Sequence, residues 1–422
     1  MPTSLASFPR PSSGWYTSPR WSGEILDCSM PMTFDQFSTC SYRCLYCFSF
    51  FQRAIGGSKA NYLSGNVRWV NPEAFKRIWT EPDSSQFGVY VKKKIAMQWG
   101  GLGDPFCDFE RQLGVGLPLI QFLREREYPV RFSTKGTWWT EDERYMELFR
   151  GAGKHFAVMF SIITDDEHAA ARIEVKAPSP RERYAAMARI AALGVPVILR
   201  MRPFIPGVTD KTLEALLTNA ANSGATAVST EFLCIERRAV LAARRLREIG
   251  RVAGLDLHDL YVKGSLRHGG YMRLSRELKI PWFEKARDKA HSLGMRFFVS
   301  DAQGKELCDG ASCCGLPEEW NYQRSQFTRA LLIAKEKGLV HWSDFADGLD
   351  WAEPVVWEKA EGFNTLGEEA RAKWHGFSMK EWMRFQWNSV KSGKGPYQYF
   401  GGILYPLREK DEHGDVVYKY CP

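Results

Sequence analysis

Residues 129–163 read PVRFSTKGTWWTEDERYMELFRGAGKHFAVMFSII, and the change of pattern along this stretch decides the fold. Two short runs rich in β-branched and aromatic residues, PVRFSTK and FAVMFSII, enclose a segment opened by Thr140, Glu141 and Asp142. A capping hydroxyl followed by acids suits a helix N-terminus. The stretch therefore reads strand, helix, strand. The same alternation extends in both directions. Upstream, GEILDCS near residue 25 is a candidate first strand and KKIAMQW a second, followed by a helix expected from Asp108 to the charged run at 124–127. Downstream come the helix PSPRERYAAMARIAALG, begun by Pro and stopped at Gly194, the fifth strand VPVILRMRPFI, the helix TDKTLEALLTNAANSG and the sixth strand ATAVSTEFL. Repeated βα units with short connections predict an α/β fold, a partial parallel (βα)6 TIM-type barrel, with ligands at the C-terminal strand ends.

Three regions are expected: an irregular leader over 1–22, a core over 23–301, and a C-terminal cysteine-containing appendage over 302–422. Two charged helices, near 236–254 and 271–293, and the strand MRFFVSD close the core. The chain has 422 residues, 44% hydrophobic and 25% charged. That balance belongs to a globular protein large enough to need no covalent staple. No apolar run approaches a membrane span and the first residues lack a secretory signal, so a cytoplasmic location is expected. There ten cysteines point to metal or redox chemistry rather than disulfides. The net charge of +8 is compatible with a polyanionic partner.

Three thiols fall within eight residues, Cys40-Ser41-Tyr42-Arg43-Cys44-Leu45-Tyr46-Cys47. Thiolates are natural ligands of iron–sulfur clusters, and three of them on a four-iron cluster leave one iron open. A zinc knuckle is the competing reading, and it requires a fourth ligand. The Cys-x3-Cys-x2-Cys spacing, with an aromatic before the last cysteine, resembles the motif of the radical S-adenosylmethionine (SAM) superfamily. That resemblance implies a [4Fe–4S] cluster on Cys40, Cys44 and Cys47, with SAM chelated at the open iron and cleaved to a 5′-deoxyadenosyl radical. It also implies an electron donor such as flavodoxin or ferredoxin.

Other positions fit the same scheme. Gly100 and Gly101 resemble the family's glycine-rich segment that receives the amino group of SAM, although glycines at a strand end also serve as an ordinary turn. Asp104 is expected over the barrel mouth. Ser133, Thr134 and Lys135 end the third strand and Ser161 the fourth, where cofactor contacts gather in parallel barrels. Arg200 and Arg202 suit a carboxylate or phosphate, or else snorkel at the surface. The order GGLGDPF, FSTKGT, FSIITDD, then LRMRPFIPGVTD resembles the spore photoproduct lyase-like branch over residues 25–235. In that branch Lys135 and Ser161 would touch SAM and the substrate would be a thymine-type base. The lyase's hydrogen-donating cysteine is replaced here by glycine, and the nearest thiol, Cys107, becomes the candidate hydrogen donor.

Cys308, Cys313, Cys314 and Cys421 form a second thiol group, expected to hold an auxiliary iron–sulfur cluster or zinc. The stretch KWHGFSMKEWMRFQWNSVKSGKGPYQYF mixes basic and aromatic residues; Trp374, Phe377 and Trp382 suit a core, Lys391 and Lys394 a phosphate contact. Hydrolytic zinc motifs, a phosphate loop and a nucleophile elbow are absent from the sequence. The expected function is hydrogen abstraction from a thymine-derived base or its amino-acid adduct in DNA, a rearrangement in phage thymine hypermodification. The alternatives are repair of a photolesion, a radical SAM enzyme of peptides or small metabolites, and a zinc-dependent nucleic-acid-binding protein.

Overall fold

A computed structural model describes residues 19–22, 27–28, 30–49, 67–85, 87–236, 240–268, 271–317, 320, 327–346 and 379–422. The chain divides into two compact units. The first comprises Met1–Pro19, Phe34–Lys76 and Gln98–Phe297; the second, Arg20–Thr33, Arg77–Met97 and Phe298–Pro422.

The protein is mixed α/β with a seven-strand parallel sheet. Its strands, neighbours in chain order, are β1 (Met32–Phe34), β2 (Met97–Trp99), β3 (Val130–Thr134), β4 (Phe156–Ser161), β5 (Val197–Phe204), β6 (Ala225–Phe232) and β7 (Arg296–Val299). The first unit owns β3 to β6 in full. There Val130 lies opposite Phe156, Ser133 opposite Met159, Ser161 opposite Arg200, and Arg200 opposite Ser229, all parallel. Alternation sends Phe132 and Phe156 to one face, where both meet Phe149 of the helix Glu143–Phe149 at ring separations of 5.2 and 5.3 Å. Arg131, Ser133, Met159, Ser161, Arg200 and Arg202 consequently occupy the opposite face.

Most expected elements are present, with instructive shifts. The candidate strand GEILDCS lies mostly outside the described residues, at 23–26 and 29; Asp27 is in a turn, Cys28 in no regular element, and the first described parallel strand, β1, is the buried triplet Met32–Phe34. The helix expected from Asp108 onward is two helices, Asp108–Leu113 and Leu117–Glu125. Gly114 at φ +61° ends the first, and the buried Glu110 carboxylate accepts the amides of Gly116 and Leu117 to start the second. Asp142, not Thr140, caps Glu143–Phe149. The helix Pro180–Ala192 has a full capping box of Ser179 and Glu182. A small antiparallel sheet of Ile235–Glu236, Ser265–His268 and Tyr271–Leu274 completes the first unit.

In the second unit, Arg20–Trp21 pairs antiparallel with Met32 and Thr33. Its other sheet joins Leu339–Val340, Val416–Tyr420 and Leu404–Lys410. The helices Phe327–Lys337 and Met379–Asn388 pack against a core containing Leu331, Trp342, Trp382, Trp387 and Tyr418. Trp382 is therefore a core residue, whereas Trp374 and Phe377 lie outside the described residues. Asp27 is buried, and its carboxylate accepts the amide of Thr328 at 2.8 Å, the hydroxyl of Tyr399 at 3.0 Å and the ammonium of Lys305.

Candidate active site

The three cysteines of the 40–47 loop follow β1, and all are half-buried and outside any disulfide. The loop is gripped at nearly every residue. Ser41 Oγ accepts the amide of Asp108 at 3.1 Å, and the Tyr42 hydroxyl donates to the Phe106 carbonyl at 3.0 Å. The Leu45 amide donates to the Ile173 carbonyl at 2.9 Å, and the Tyr46 hydroxyl to Glu174 Oε1. Arg245 donates to the carbonyls of Leu45 and of Cys47, the latter at 2.7 Å. Arg43 adopts a left-handed φ of +50° between two of these anchors. The backbone that presents the thiols is thus preset.

A hydrogen bond with the Cys107 thiol, and then burial, push the Cys40 thiol well above its ordinary pKa. Burial does the same for Cys44, while nearby Lys135 opposes it and Cys47 and Cys40 add to it. Binding iron there requires expelling protons from these thiols. The donor chemistry fits a thiolate-ligated cluster: three cysteines outside any disulfide on one clamped loop, Cys44 within electrostatic reach of both others. Cys107 is fully buried and caps the helix Asp108–Leu113, beside Cys40 rather than on an open surface.

Next to the loop, Asp104 acts as a buried tie. Its carboxylate accepts the Thr134 hydroxyl at 2.7 Å, the Lys135 amide at 2.6 Å and the Phe106 amide at 3.0 Å, and burial raises its pKa despite these bonds. Gly100 stands at φ +98°, and a Cβ there would come 2.6 Å from the Ser133 carbonyl oxygen, so close packing against β3 requires glycine. Asp35 accepts the amides of Leu102 and Gly103 at 2.8 and 2.7 Å. Gly101 lies half-buried in the bend between these contacts.

Lys135 reaches Glu174 at 3.8 Å and lies 5.5 Å from the Tyr46 ring centre. Glu174 is itself paired with buried Arg183 at 2.5 Å, and Arg183 also donates to the Ser161 carbonyl at 2.8 Å. One buried carboxylate therefore links the cysteine loop, Lys135 and the end of β4. Arg200 donates to Ser161 Oγ at 3.3 Å. Burial, then the like charges of Arg202 and Arg131, lower its pKa to about 9. Arg202 forms a forked pair with Glu231 at 2.5 and 3.1 Å, and Arg273 approaches the other Glu231 oxygen at 3.6 Å.

The structure gathers Cys40, Cys44, Cys47, Cys107, Asp104, Lys135, Ser161 and Arg200 through shared contacts. Sequence reading missed Glu174, Arg183, Arg245 and Arg131. Their only sequence signal was charge, in a helix, in a strand or, for Glu174, just past a helix end. In the second unit Cys308 exchanges hydrogen bonds with the Val299 backbone, the Cys313 and Cys314 sulfurs lie 3.7 Å apart, and Cys421 is exposed. Among the described residues no group of three or more His, Cys, Asp or Glu stands ready to hold a single metal ion. Nor is any described helix long and apolar enough to cross a membrane.

No family model matches the chain, and no curated protein matches it. Among solved structures it is similar to a spore photoproduct lyase mutant, at 18% identity and a TM-score of 0.49, covering 67% of this chain and 80% of that one. It is also similar to a double mutant of spore photoproduct lyase with bound AdoMet and dinucleoside spore photoproduct, at 17% identity and a TM-score of 0.47 over 67% and 80% of the two chains. A further similar structure is the radical S-adenosylmethionine methyltransferase TsrM from Kitasatospora setae with tryptophan substrate and a SAM analog bound, at 11% identity and a TM-score of 0.39 over 72% and 61%.

Proposed function

We infer that the protein is a radical SAM enzyme whose Cys40, Cys44 and Cys47 hold a [4Fe–4S] cluster. The observation that carries this reading is the clamped loop that presents three cysteines, none in a disulfide, next to the C-terminal ends of parallel strands. When bound, the reduced cluster and SAM supply a carbon radical able to abstract hydrogen from an unactivated position. The chain's own residues do the rest. Arg245, Tyr46 and Glu174 fix the loop; Asp104 locks the turn after β2 to the end of β3. Lys135 and Ser161 are the assigned SAM contacts, the latter oriented by Arg200, and the Gly100–Gly101 backbone accommodates the amino group.

The substrate we assign is a thymine-derived base or its amino-acid adduct in DNA, and the reaction a rearrangement of that adduct in phage DNA hypermodification. The order of motifs along β2 to β5 and the basic charge of +8 support it. Flavodoxin or ferredoxin is the assigned electron donor.

The test is anaerobic. Protein reconstituted with iron and sulfide and reduced with dithionite should convert SAM to 5′-deoxyadenosine, and a Cys40→Ala, Cys44→Ala, Cys47→Ala variant should not. Deuterium appearing in 5′-deoxyadenosine from labelled thymine-containing DNA would place the abstraction on the base. No cleavage by wild type carrying about four irons per chain removes the reading. Iron or zinc retained by the triple variant would assign a second metal to Cys308, Cys313, Cys314 and Cys421.

A further inference from the structure

Among the described residues, the face of the sheet turned away from Phe149 gathers Arg131, Arg200 and Arg202, and the first two keep buried nitrogens without a hydrogen-bond partner. Arg131 is only 1% exposed, yet its Nε and Nη1 have no hydrogen-bond partner. Two residues on, Ser133 is 5% exposed with an unpartnered hydroxyl, and Arg200 has an unpartnered buried Nε. Strand register puts all three on one face: Ser133 lies opposite Met159, and Ser161, two residues further along the same strand, lies opposite Arg200. The acid on this face, Glu231, is already shared by Arg202 and Arg273. Leaving a buried guanidinium half-bonded is destabilising, so such an arrangement needs a counterion. Burial, and then the like charges of Arg202 and Arg131, lower the pKa of Arg200, in keeping with the same excess.

We propose that Arg131, with Ser133 and the free edge of Arg200, binds a terminal anionic group of the substrate, a carboxylate or a phosphate monoester. This rests on the reading of the parallel-sheet face as the active site, and it narrows the substrate. An internal phosphodiester is tethered on both sides and cannot deliver its charge to a residue as buried as Arg131. A carboxylate at the end of an adduct can. SAM's contacts are assigned to Lys135 and Ser161, near the strand ends, whereas Arg131 is the second residue of β3.

The first measurement uses wild-type protein loaded with cluster and SAM. Its melting temperature is followed against sodium acetate and against inorganic phosphate, at ionic strength held constant with chloride. A saturable rise with either anion is expected; flat curves with both overturn the proposal. The anion that saturates at lower concentration tells carboxylate from phosphate. Arg131→Gln should weaken anion affinity about 10-fold or more, with Arg131→Lys intermediate. SAM affinity, measured by equilibrium dialysis, should stay within about twofold of wild type, since the removed bonds are charge-assisted contacts to a different anion. An equal loss of SAM affinity would reassign Arg131 to the cofactor, and unchanged anion affinity would also overturn the proposal. Deoxyadenosine formation by the wild type is scored separately, so failure of the radical chemistry and failure of the anion site are distinguishable.

Discussion

Glu174 is the residue on which the site depends most. It is 1% exposed and meets Arg183, Lys135 and the Tyr46 hydroxyl at once. Glu174→Ala leaves Arg183 uncompensated, and chemical denaturation should show a loss of about 3–5 kcal/mol, typical of breaking a buried ion pair from one side. Iron content per chain should fall with it. Gly100→Ala meets both a positive φ and the Ser133 carbonyl, and should cost about 1–3 kcal/mol by the same assay. Glu236 gives a pH dependence. Burial raises its pKa from 4.5 to about 7, so between those values the folded state holds a proton that the unfolded state has lost. Stability should decline as pH rises from about 4.5 to about 7 relative to Glu236→Gln and level off above, which urea titrations across this range would show. The cysteine triad was legible because its spacing is local. Glu174 and Arg183 were not, because a carboxylate 128 residues from Tyr46 gives no sign in the sequence that it will meet it.

At the scale of elements, alternation and caps were the readable features. FAVMFS and VRFST are buried along their whole length and still read as strands because they are short and bounded by turn residues. Pro180 and Gly194 marked the helix Pro180–Ala192, the structure adds the capping box of Ser179 and Glu182, and Ser179→Ala should lower stability by about 1 kcal/mol. β1 escaped notice because three buried residues carry no periodicity, and GEILDCS nearby imitates a strand better than MTF does. The break at Gly114 was visible as a glycine, but the carboxylate that restarts the chain as a second helix was not. Glu110 became interpretable only once Tyr145 was seen to donate to it at 2.6 Å.

At the scale of the whole molecule, composition and cysteine usage pointed to a globular protein with metal or redox chemistry and could not say which residues would clamp the cysteine loop. If DNA is the substrate, affinity should fall steeply with salt through counterion release, and a log–log plot of affinity against salt between about 50 and 200 mM checks it. The clamp itself has a consequence in time. Arg245 follows Leu45 by 200 residues and closes on the loop's carbonyls from the helix Val240–Ala253. At synthesis rates of about 5–20 residues per second, the cysteines emerge from the ribosome roughly 10–40 s before the side chain that holds them. During that interval the three thiols lack their frame, and expression under slow translation should lengthen the period in which they are open to oxidation.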